Sequence, residues 1–119
     1  MHKVLKRYWG FDEFRSPQLE IIESVLSGRD TIALLPTGGG KSLCYQLPAL
    51  LTKGKVLVIS PLISLMQDQI KQLEDKEILA KAIYSGMPLY AIDAILDNFV
   101  HGPLKLLYVS PERVQTELF

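Results

Sequence analysis

At 119 residues the chain is long enough to bury one core and short for an enzyme that needs two lobes, so a single α/β unit over residues 1–119 without an internal boundary is expected. Thirteen basic residues balance thirteen acidic ones and 48% of the residues are apolar, which excludes a disordered segment and any general electrostatic pull on nucleic acid; such binding must come from local groups. The lone Cys44 excludes an intrachain disulfide, no Cys/His cluster suggests a metal site, and neither a signal-peptide h-region nor a membrane-length apolar run occurs, so a cytoplasmic protein, near the nucleoid if bacterial, is expected.

Along the chain, Pro17 to Leu26 has apolar residues at helical spacing, with Pro at its start and Gly28 just past its end. Short aliphatic runs at Thr31 to Leu35, Val56 to Ser60, Ala80 to Tyr84 and Lys105 to Val109 read as buried strands. Helical patterns follow them at Lys41 to Leu51, Leu62 to Glu77, Leu89 to Val100 and from Pro111. Alternation of this kind predicts βαβ crossovers and a mainly parallel sheet covered on both faces, with ligands at the carboxyl ends of the strands. The stripe Leu62, Leu65, Met66, Gln69, Ile70 and Leu73 is expected to face the core.

Pro36-Thr37-Gly38-Gly39-Gly40-Lys41-Ser42 lies between a predicted strand and a predicted helix. Consecutive glycines let backbone N–H groups turn inward around a phosphate, Lys41 can reach the β and γ phosphates, and the Ser42 hydroxyl can ligate Mg²⁺. Leu35 stands where the strict pattern places its first glycine. The alternative is a glycine-rich turn without a ligand. Cys44 and Tyr45, one turn on, read as packing residues.

Leu35 to Leu47, L-P-T-G-G-G-K-S-L-C-Y-Q-L, resembles motif I of RecQ-type DNA helicases. Phe11 to Gln18 resembles that family's motif 0, with Ser16-Pro17 in place of the more usual Pro-Gly. Ser60 to Gln69 resembles motif Ia, and Tyr108 to Arg113 resembles motif Ib. The resemblance implies a P-loop, RecA-like first lobe of an ATP-dependent 3′ to 5′ DNA helicase acting in recombination and repair. ATP and Mg²⁺ would be its cofactors, with single-stranded or partly duplex DNA and a second helicase lobe as partners. It also implies a base sandwiched between Phe11 and Arg15, two flat-faced side chains. A Gln amide can pair with the adenine edge, which makes Gln18 the candidate for reading adenine. Read without the resemblance, Phe11 and Phe14 staple the next helix, and Arg15 and Gln18 are solvated.

Ser60-Pro61 and Ser110-Pro111 suggest Ser at an N-cap and Pro at the first helical position, leaving N–H groups for a DNA phosphate. Ser64 and Arg113 complete the DNA-binding candidates. Capping without any ligand is the alternative. The acid that orients Mg²⁺ and water belongs, in the resembling family, to a D-E-x-H motif expected beyond Phe119; Asp12-Glu13 is the one Asp-Glu pair present. His2 and His101 receive no role. A P-loop NTPase that never touches nucleic acid, or a nucleotide-binding adaptor, is the rival reading.

Overall fold

The computed structural model describes residues 1–33, 41–84 and 86–114, with the side chains of residues 113 and 114 outside the description. The chain divides into two compact units, Met1–Gly54 and Lys55–Phe119.

The first unit holds three helices: α1 (His2–Trp9), α2 (Gln18–Leu26) and α3 (Leu43–Leu51). Their core is Leu5, Ile22, Leu43, Cys44 and Leu47, flanked by Val4, Trp9, Phe14, Ile21, Leu26 and Leu51. α2 ends as its sequence predicts. Gly28 takes φ 83° and donates its N–H to Val25 O at 3.0 Å, while Arg29 N reaches back to Ser24 O at 3.2 Å, a left-handed closure that any side chain would strain. α3 runs through Pro48. An interior proline costs about 3 kcal/mol, and burial of Leu43 and Leu47 offsets it at about 1.5–3 kcal/mol each.

The run predicted as a first strand is not one where it is described. Thr31 to Ala33 are exposed and lie outside any strand, Ile32 at 94%, and residues 34 and 35 fall outside the description. A strand exists only where a neighbouring edge takes up its N–H and C=O groups. Thr31 is engaged locally instead: its Oγ1 lies 2.8 Å from Ser24 Oγ and donates to Arg29 O at 3.1 Å.

The second unit holds the sheet. Strands β1 (Val56–Ile59), β2 (Ala80–Ile83) and β3 (Leu106–Val109) pair in the order β1-β3-β2, all parallel. The central β3 is buried throughout. Helices α4 (Ile63–Asp75) and α5 (Leu89–His101) make the crossovers, and α6 (Pro111–Val114) follows β3. Because successive strand residues point to opposite faces, Leu107 and Val109 join Ile83 against Ile92, Ile95, Leu96 and Phe99 of α5. Tyr108 points the other way, its hydroxyl donating to Gln69 Oε1 of α4 at 2.9 Å. Helices therefore cover both faces of the sheet, as the alternation predicts. The core stripe of α4 is narrower than expected. Met66 and Leu73 are 1% exposed, but Leu62, the N-cap of α4, and Leu65, in its first turn, stand at 57% and 44%.

Candidate functional site

Two groups of predicted site residues are placed by these units. In the first unit, Gln18 opens α2 and is 4% exposed. Its Oε1 accepts the Arg15 backbone N–H at 2.8 Å, and its own N–H donates to Arg15 O at 2.6 Å. Together the two bonds tie the first residue of α2 to Arg15, which lies ahead of the Pro17 N-cap. The side-chain carbonyl is thereby fixed in orientation. Gln18 is thus neither solvated nor free to swing.

Beside it, a cleft of about 330 Å³ is lined by Glu13, Phe14, Arg15, Ser16, Pro17, Leu19 and Glu20, and by His2 from α1. The His2 and Phe14 rings meet edge to face with centroids 5.1 Å apart. Phe11 is 52% exposed and is not among the lining side chains, whereas Phe14 both lines the cleft and packs on the core. Sequence reasoning assigned nothing to His2. Twelve positions separate it from Phe14, and no local pattern announces that contact.

Thr37, Gly38, Gly39 and Gly40 lie outside the described residues. Lys41 and Ser42 follow them as the turn that enters α3, with Cys44 N bonded to Lys41 O at 3.1 Å and Gln46 N to Ser42 O at 2.9 Å. Ser42 stands at the N-cap, yet its hydroxyl makes no capping bond, so it is not committed to the helix. Lys41 is exposed and borders a cavity of about 280 Å³ lined also by Ile21, Val25, Thr31, Ala33, Cys44 and Tyr45. Burial pushes the Cys44 thiol above its ordinary value by desolvating the thiolate. No group of three His, Cys, Asp or Glu among the described residues could hold a metal ion.

In the second unit, the parallel register sets Ile59, Val109 and Ile83 side by side. The next residues, Ser60 and Ser110, therefore leave neighbouring strands at the same carboxyl edge, with Ser60 N bonded to Val109 O at 3.0 Å and Ser110 N to Ile83 O at 3.3 Å. The two Ser-Pro steps then diverge. After Ser110, Pro111 is the first helical residue, as expected. After Ser60 the chain bends at Pro61, and the extended Leu62 is the N-cap of α4, so Pro61 does not open the helix; the Ser60 hydroxyl accepts Leu62 N–H at 3.3 Å. Ser110 is 1% exposed, and its hydroxyl has no hydrogen-bond partner among the described residues. Pro61 and Ser64 are exposed on the same approach. Arg113 lies in α6, its side chain outside the description.

Residues 15–119 match the DEAD/DEAH box helicase family. The ATP-dependent DNA helicase RecQ of Synechocystis sp. is 44% identical over 117 residues, covering 98% of this chain and 24% of that protein. The protein of the same name from Haemophilus influenzae is 48% identical over 116 residues, 98% of this chain and 19% of its own length. The probable ATP-dependent DNA helicase RecS of Bacillus subtilis is 48% identical over 117 residues, 98% and 23% respectively. The chain thus spans under a quarter of the length of these relatives. With a parallel sheet clad on both faces and four helicase-like motifs in order, the chain belongs to the DEAD/DEAH box helicase family and, within it, to the RecQ group.

Proposed function

We propose that this chain is the nucleotide-binding N-terminal part of the first lobe of an ATP-dependent DNA helicase, moving 3′ to 5′ and serving recombination and repair. The backbone of Thr37 to Gly40 and the side chain of Lys41 hold the triphosphate, and Ser42 gives its hydroxyl to Mg²⁺. Gln18 reads adenine, and the base lies against Arg15 with Phe11 on its other side. Ser60, Pro61, Ser64, Ser110 and Arg113 meet the phosphates of a DNA strand.

One observation carries the choice of a nucleic-acid motor over a P-loop NTPase that ignores DNA. It is the buried Ser110 hydroxyl, without a partner among the described residues, at the carboxyl edge of the central strand and next to Ser60. Leaving a buried hydroxyl unpaired costs about 1–3 kcal/mol, a cost that a phosphate oxygen accepting its proton would remove. Ligands of open parallel sheets gather at this edge.

Ser110→Ala tests the reading because function and stability part company. The variant is expected to unfold at the same or a higher denaturant concentration than the parent, to bind ATP equally, and to bind single-stranded DNA more weakly. Unchanged DNA affinity would remove Ser110 from the strand path. In calorimetry, Lys41→Ala should weaken ATP more than ADP; equal losses would refute the phosphate role.

A further inference from the structure

We propose that the cleft between α1 and α3 is an additional anchoring point for the phosphate backbone of a DNA strand. It has a volume of about 300 Å³ and is lined by Lys3, Val4, Arg7, Tyr8 and Leu50. The choice of a strand over a free phosphate rests on the DNA-helicase reading above, but the cleft shares no residue with the sites described there.

The charge is local. The chain as a whole is neutral, yet α1 carries Lys3, Lys6 and Arg7 and no acid. Lys6 is paired with Asp12 at 2.9 Å. Lys3 and Arg7 have no ion pair among the described residues, and their four-residue spacing puts them on one face of the helix. Both are exposed. Like charges four residues apart on a helix repel each other, and an anion between them would relieve that repulsion.

The geometry favours a nucleotide strand. The Arg7 guanidinium lies over the Tyr8 ring, 5.1 Å from its centroid. A guanidinium held over an aromatic ring can still donate its N–H groups to phosphate oxygens, with less side-chain entropy left to lose. Lys3, one turn earlier, adds a point charge. Val4, Tyr8 and Leu50 supply half-buried apolar and aromatic surface for the sugar or base that accompanies each phosphate. An acidic peptide would satisfy the two cations but leave that surface unused.

The test is titration of the chain with oligothymidylate, followed by backbone amide NMR and, for affinity, by anisotropy across a salt series. Amides of residues 3–8 and of Leu50 are expected to shift. The double variant Lys3→Ala/Arg7→Ala, altered only at exposed side chains, should keep its helical signal and its ATP affinity. It should lower the steepness of log affinity against log salt by about 1.4, two phosphate contacts at about 0.7 each. Shifts confined to the Ser60 and Ser110 loops, with an unchanged salt slope in the variant, would overturn the α1 site and leave the helicase reading standing. No response to DNA anywhere would overturn both. A larger α1 response to oligoglutamate of equal charge would overturn it in favour of an acidic protein partner.

Discussion

Gln18 carries two duties at once, and a single substitution separates them. Its side-chain carbonyl accepts the Arg15 N–H ahead of α2, and its amide plane is the proposed adenine reader. Gln18→Ala should cost about 1 kcal/mol, as loss of a part-buried hydrogen bond does, and should narrow the affinity gap between ATP and GTP. Denaturant unfolding and competition binding measure the two effects, and loss of stability with an unchanged gap would leave Gln18 with a structural role alone. Cys44 gives a pH signature. Burial raises its folded pKa above the ordinary thiol value of 9.0, so the neutral thiol stabilises the fold fully below that value. That contribution is lost as pH rises through the higher folded value. Parent stability should therefore fall more steeply than that of Cys44→Ala above pH 9.0, and thiol reagents should react slowly until the chain unfolds. Parallel pH curves would refute this.

The elements owe their placement to contacts that single atoms disclose. Tyr108 of β3 and Gln69 of α4 are joined by a 2.9 Å hydrogen bond across the sheet face. Tyr108→Phe should cost about 1 kcal/mol and speed hydrogen exchange along α4 more than along α5; equal acceleration in both helices would mean that the bond does not locate α4. At the end of α5, Gly102 is closed in by Asn98. A Cβ there would press on Asn98 Oδ1 and come within 2.9 Å of Asn98 O, while Lys55 Nζ donates to Gly102 O at 2.8 Å and to Leu104 O at 2.6 Å. Gly102→Ala should destabilise by about 1–3 kcal/mol, as overpacking does, through the link between α5 and the start of β1. A thermal midpoint equal to the parent's would show that the turn relaxes freely.

For the molecule as a whole, hydrolysis needs a carboxylate at the end of a buried strand and an arginine at the γ-phosphate in addition to the phosphate loop. The sequence contains one Asp-Glu pair, Asp12-Glu13, and both residues are exposed ahead of α2. The 119-residue chain should accordingly bind ATP yet turn it over at less than about 1 per second, the lower end of ordinary enzyme rates, with or without single-stranded DNA. Phosphate release at several turnovers per second from this chain would show that the catalytic acid is already within it. The exposed Leu57 and Ile59 of the edge strand β1 agree with a sheet that has surface left to cover. Much of this was legible in the amino-acid order, because helical periodicity, the Gly28 stop and the aliphatic runs of β1, β2 and β3 are local signals that need no partner to be read. The Ser-Pro steps and Gln18 were equally visible as residues worth placing. What the order of residues did not decide was pairing across distance. Thr31 to Ala33 have strand composition, but they pair with no strand among the described residues. Leu62 and Leu65 have core composition, but both are exposed at the start of α4. His2 reaches the cleft lined by Glu13 to Pro17 only because α1 folds back beside Phe14. Local propensity sets which elements can form, whereas hydrogen-bond partners and burial between residues far apart in sequence set which of them do and what each side chain meets, and only the tertiary structure holds that information.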